Sequence, residues 1–175
     1  SDVYKRQVMD TYKVVWFGVD PSPAKDDTTE ASYWAPMIDQ WHQDFRRKLR
    51  VWATPGEKGN AVLWDMRLST PGGANRNRLF SQEVEVIQQQ VDVDGLDGPF
   101  RHDGDPALIA HVNNTRMRWN KFGLTVGKKT RDSSQLVDLC VAMIAANVGR
   151  REALNSGKVR ISKRSGSSAR FVSMD

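Results

Sequence analysis

Two aspartates stand where a chain rarely puts a bare carboxylate. Asp20 ends the apolar run VVWFGV and is followed by Pro21 and Pro23. Asp138 lies among Leu136, Val137, Leu139, Cys140 and Val141 in a segment with hardly a polar face. Burying an ionised carboxylate costs several kcal/mol unless something pairs with it. A place in the first turns of a helix offsets roughly 0.3 to 1 kcal/mol of that. A cation is therefore expected beside Asp138. Asp20, at the carboxyl end of a buried strand, takes the edge where open α/β sheets hold ligands. Hard ions such as Mg²⁺ take oxygen ligands, so two such carboxylates can converge on a metal. Each also has a structural reading: Asp before Pro opens turns, and a buried Arg or Lys can neutralise Asp138 without chemistry.

Other combinations carry less. RHDGDP gathers His102, Asp103 and Asp105, but Asp-Gly followed by Asp-Pro is also how a turn enters a helix. The three histidines, His42, His102 and His111, lack zinc-ligand spacing. No nucleophile elbow or Walker loop is present, and PGGANRNR lacks the Lys-Ser/Thr pair that would make it one.

The elements that must position these residues read as α/β. KVVWFGV is continuously apolar and rich in β-formers, which predicts a strand covered on both faces. Ile38, Trp41, Phe45 and Leu49 recur every three or four residues, the stripe of an amphipathic helix. RVWAT follows as a second short strand, completing a parallel crossover unit. NAVLWDMRL fits helix or strand, and STPGGANRNR reads as a loop. Phe80, Val84, Ile87 and Val91 mark a helix; Asp105-Pro106 should open another through ALIAHVNNTRMRW; FGLTVGKK reads as a strand or extended arm. The run SSQLVDLCVAMIAANVG predicts a buried helix capped by Ser133 or Ser134 and stopped near Gly149.

A chain of 175 residues suits one domain. With no leader-like segment and no apolar run of membrane-spanning length, it is expected to be a soluble piece, cut from something longer. A lone Cys140 excludes an internal disulfide and suits a reducing compartment. The net charge of +5 resides in the last 27 residues, where seven Lys or Arg face Glu152 and Asp175. Such a basic, Ser/Gly-rich end is either a solvated, mobile tail or a contact to polyphosphate or nucleic acid.

Together, GVDPSP, HDGDPALIAHVNN, GKKTRDSSQLVDLCVAMIAA and ALNSGK resemble the C-terminal nuclease domain of the large terminase subunit of tailed bacteriophages. The likeness runs from about residue 8 to 160, chiefly between His102 and Lys158. It divides the chain into a ragged start (1–7), a partial nuclease domain (8–156) and a basic tail (157–175). It implies a partial RNase H-like fold, a central sheet with parallel strands flanked by helices, its first strands missing upstream. It also implies a metal-dependent endonuclease that cuts concatemeric double-stranded DNA during packaging, with acids holding two Mg²⁺ or Mn²⁺ ions. Asp138 matches the last acid. Asp20 fits the middle acid, on the fourth strand, with the first acid upstream of Ser1; Asp65 is the alternative middle acid if Asp20 is the first. The interval from Asp20 to Asp138 is long for the family, and EKGNAVLWDMRLSTPGGANRNR is where extra chain is expected. A piece without the first acid should bind metal poorly and not cut alone.

In such a site two ions about 3.5 to 4 Å apart generate the attacking hydroxide and stabilise the leaving 3′ oxygen. Lys128 or Lys129 would hold the phosphodiester, unless each is simply an exposed surface lysine. Arg150, Arg151, Lys158 and the tail would add salt-sensitive, sequence-independent affinity. The implied partners are double-stranded DNA, an upstream ATPase domain of the same protein, the small terminase subunit and the portal protein, in the host cytoplasm and transiently at the procapsid portal, with no membrane. The rivals are a noncatalytic nucleic-acid-binding or packaging module of the same fold, and a RuvC-like or transposase-like RNase H nuclease.

Overall fold

The computed structural model describes residues 2–21, 28–94, 100, 102–130 and 132–159. The chain is mixed α/β, with five helices and one small antiparallel sheet among the described residues. It divides into two compact units: residues 2–77 with 148–159, and residues 78–147. No helix among the described residues is long and apolar enough to cross a membrane. Most of the basic tail, from Arg160 to Asp175, lies outside the described residues, as does the loop from Ser22 to Asp27.

The first unit holds α1 (Asp2–Thr11) and α2 (Thr28–Phe45). Helix thus begins at Asp2, inside the stretch read as a ragged start. The predicted stripe is buried: Ile38, Trp41, Phe45 and Leu49 pack with Met9, Ala61 and Val62, and Val14, Phe17, Val19 and Trp52 close over them. Removing such side chains from water is worth roughly 1.5 to 3 kcal/mol each, so this cluster is the unit's main source of stability.

Around it three extended segments meet without forming regular strands. Val51 N–H donates to the Val15 carbonyl (3.0 Å), Val19 N–H to Val62 (2.7 Å), and Trp64 N–H to Val19 (2.8 Å). Val19 and Leu63 form an isolated parallel bridge, and Thr54 and Asn60 an antiparallel one. The expected central parallel sheet is absent among the described residues, and side chains explain part of this. Ala61 N–H donates to His42 Nδ1, and Val62 and Leu63 N–H both donate to Asn60 Oδ1, each at 2.9 Å. Donors that a ladder would need are already taken.

STPGGANRNR, read as a loop, contains the start of α3 (Gly73–Asp94). Its residues 73–77 belong to the first unit. The last helix, α5 (Asp138–Asn155), runs six residues past the expected stop at Gly149. RREALN is rich in helix formers and outweighs one interior glycine, which costs about 1 kcal/mol. Gly149 has a packing purpose instead: a Cβ there would lie 2.2 Å from the Trp16 ring, and one on Gly18 would lie 2.1 Å from it.

The second unit buries Phe80, Val84 and Ile87 of α3 as predicted, while Val91 is half exposed. Helix α4 (Pro106–Asn114) is capped by Asp105, whose carboxylate accepts from Leu108 N–H at 2.7 Å. The expected continuation through Trp119 does not occur. The chain becomes β1 (Thr115–Asn120) and pairs antiparallel with β2 (Gly123–Lys128), in register Thr115 to Lys128 through Asn120 to Gly123. The alternation in TRMRWN suits a strand, and pairing with the adjacent FGLTVGK segment prevails over the helical pattern before it.

Candidate functional site

Asp138 is exposed, which corrects the expectation that it is buried and needs a cation to offset desolvation. Only one side of α5 is covered: Cys140 and Ile144 are buried, whereas Asp138, Leu139, Ala142 and Ala146 are exposed. Asp138 opens the helix, where the dipole favours its charge. The expected serine cap is also corrected. Ser133 Oγ accepts from Gln135 N–H, before the helix, and the acceptor for Leu139 N–H is His111 Nδ1 at 3.0 Å.

His111 therefore joins α4 to the first turn of α5. Asn114 Nδ2 donates to the Leu136 carbonyl (3.1 Å), and the Thr115 hydroxyl donates to the His111 carbonyl (2.7 Å). The Cys140 thiol, pushed up by burial, is hydrogen-bonded to Thr115. Two motif segments far apart in sequence, HDGDPALIAHVNN and the helix bearing Asp138, thus meet in one unit.

Asp20 and Asp65 belong to the other unit, and each faces guanidinium charge. Asp65 is buried, 3% exposed, and its carboxylate is gripped by Arg67: Nε lies 3.0 and 3.1 Å from the two oxygens, and Nη2 lies 2.6 Å from Oδ2. Arg67 N–H adds a bond to Oδ1 at 3.0 Å. Arg76, also buried, donates to the carbonyls of Asp65 (2.8 Å) and Pro71 (3.1 Å) and to the Thr54 hydroxyl (2.8 Å). Burial lowers the Arg76 pKa, opposed by the charges of Asp65 and then Asp20. The charge of half-buried Asp20 thus also reaches Arg76.

A divalent ion fits this arrangement poorly. The Asp65 oxygens are committed to Arg67, and a cation beside Asp20 would meet the field of Arg76. No group of three or more His, Cys, Asp or Glu able to hold a metal occurs among the described residues. Of the three candidate acids, Asp138 is the exposed one, and it stands at a helix start.

Of the expected DNA contacts, Lys128 ends β2 and donates to the Ser133 carbonyl at 3.1 Å. Lys129 is exposed, and its carbonyl accepts from Arg118 at 2.8 Å. Arg150, Arg151 and Lys158 are exposed in the first unit. Sequence reasoning missed Arg67, in the segment that fits helix or strand, and Arg76, in the stretch that read as a loop. It also missed β1, where Arg116, Arg118 and Trp119 are exposed; the period-two alternation of TRMRW was the available signal.

The Gene 13 protein of Mycobacterium phage L5 is 32% identical to this chain over 124 residues, and the Gene 13 protein of Mycobacterium phage D29 is 31% identical over the same length. The match covers 70% of this chain and 18% of each relative, so the chain spans under a fifth of the proteins it resembles. These likenesses support a bacteriophage origin. No family model matches the chain, and no solved structure does.

Proposed function

We propose that the chain is part of the large terminase subunit of a tailed phage, from the RNase H-like nuclease region that cuts concatemeric double-stranded DNA during packaging. The reading is supported by the hydrogen bond from Leu139 N–H to His111 Nδ1, which brings the His/Asn helix against the start of the helix carrying Asp138. Asp138 is the acid this chain offers to the reaction, since Asp20 and Asp65 lie in the field of Arg76 and Arg67. No three metal-ligating side chains cluster among the described residues, so binding of Mg²⁺ or Mn²⁺ draws on further ligands of the full-length protein. Lys128 and Lys129, on the β1–β2 hairpin beside exposed Arg116 and Arg118, are the side chains proposed to face the DNA backbone, where charge contributes affinity without sequence preference. The ATPase domain, the small subunit and the portal belong to the same proposal, as does a transient place at the procapsid.

A second reading, a noncatalytic nucleic-acid-binding or packaging module, is favoured by one observation: the Asp65 carboxylate is held by Arg67 rather than left open to a metal. Plasmid nicking with Mn²⁺ by the full-length protein separates the two. Loss of nicking in Asp138→Ala supports the nuclease; nicking that persists in that variant refutes the assignment of Asp138.

A further inference from the structure

The first unit holds a cleft of about 450 Å³ that none of the proposed nuclease chemistry uses. Trp16, Trp52 and Trp64 line it, and Arg50, Lys158 and Glu152 are its charged members. Its volume lies within the range of small-molecule sites.

The aromatic walls are fixed. Trp16 and Trp64 meet edge to face, centroids 5.7 Å apart. Gly18 and Gly149 leave the Trp16 indole space that any Cβ would fill. Trp52 donates from Nε1 to the Arg46 carbonyl (3.3 Å) and packs edge-on to His42 at 5.3 Å. Trp64 is 4% exposed, and its buried Nε1 has no hydrogen-bond partner among the described residues. A buried, unpartnered donor costs about 1 to 3 kcal/mol.

Both cations are exposed, and an Arg50 Nη1 donates to the Lys158 carbonyl at 3.4 Å, which keeps Arg50 beside Lys158. Two positive charges against one carboxylate favour an anionic ligand, and the half-buried indoles of Trp16 and Trp52 favour a flat one. We infer that the cleft receives an unpaired base of a single-stranded nucleic acid, with Arg50 and Lys158 on the adjoining phosphate. A duplex cannot use it, because its bases are already stacked and paired; stacking on aromatic walls is open only to a strand with bases to spare. This site does not depend on Asp138 or on any metal.

The test is fluorescence anisotropy with the 175-residue chain at fixed salt, using a labelled ten-nucleotide single strand, an abasic strand of equal length and charge, and a blunt duplex. The base-bearing strand should bind on the order of tenfold more tightly than the abasic one. Whatever affinity the duplex draws from backbone charge at the hairpin should be unchanged by Arg50→Ala. Arg50→Ala, at an exposed position, should weaken single-strand binding several-fold, and Trp52→Leu should abolish the difference between base-bearing and abasic strands. Because Trp52 also touches the core, Arg50→Ala and the abasic comparison decide the matter if Trp52→Leu does not fold. Equal binding of the base-bearing and abasic strands overturns the proposal. Loss on Trp119→Ala, with Arg50→Ala unaffected, overturns it too, by moving the contact to the hairpin.

Discussion

At the scale of single residues, the carboxylates separate by what surrounds them. Asp65 carries the charge–charge contact of a buried pair, and breaking such a pair is more damaging than never having made it, because the remaining charge is left in low dielectric. Arg76 is the sharper probe, since three acceptors depend on it: the carbonyls of Asp65 and Pro71 and the Thr54 hydroxyl. Arg76→Ala should lower unfolding stability by roughly 2 to 4 kcal/mol in urea denaturation; a loss under 1 kcal/mol would mean the network is not what holds this corner. Asp2 gives a pH signature. The indole N–H of Trp41 donates to it at 2.7 Å, and this bond, followed by the one from Arg6, holds its carboxyl below the ordinary value of 3.8. A depressed folded-state pKa means the contribution is present above 3.8 and is lost as pH falls through the lower folded value. The Trp41 indole signal in NMR should therefore titrate with a midpoint below 3.8, and Asp2→Asn should remove that titration.

Much of the residue-level layout could be read from types and spacing, but not the signs of burial. The stripe Ile38, Trp41, Phe45 and Leu49 is buried as its spacing requires, because helical periodicity reports directly on one face. Asp138 was misjudged because apolar neighbours in sequence are not neighbours in space: Leu136 and Leu139 are themselves exposed, 54% and 40%. Arg76 could not be found at all, since nothing in GGANRNR tells which arginine turns inward.

At the scale of elements, two corrections have local causes. Side-chain acceptors from His42 and Asn60 take the amides of residues 61–63, so an apolar segment stays extended without a ladder. Gly149 stands inside α5 because Trp16 needs the space, which predicts a reversal of the usual rule. Gly to Ala in a helix interior ordinarily stabilises by about 1 kcal/mol. Gly149→Ala should instead destabilise by roughly 1 to 3 kcal/mol, the cost of overpacking, in chemical denaturation. A gain in stability would show that Trp16 is free to move aside. His111→Ala should cost about 1 kcal/mol, the usual effect of losing a helix-start acceptor, and should loosen the join between α4 and α5, seen as faster amide exchange at Leu139.

At the scale of the whole molecule, the chain has the mixed α/β character expected, but the assigned sheet is a two-stranded hairpin rather than a parallel core. The long-range pairing of distant strands is what local sequence specifies least. The relatives are phage proteins of which this stretch covers 18%, so the activity proposed for the full-length protein is read from a part of it. The chain by itself is predicted not to nick plasmid DNA with Mn²⁺, because no group of three or more metal-ligating side chains occurs among the described residues. The decisive measurement is therefore Mn²⁺-dependent cleavage by the full-length protein carrying Asp138→Asn beside one carrying Asp65→Asn. A folded Asp138→Asn protein should not cleave, whereas Asp65→Asn should retain cleavage at reduced thermal stability. Cleavage that survives Asp138→Asn would contradict the role proposed for Asp138.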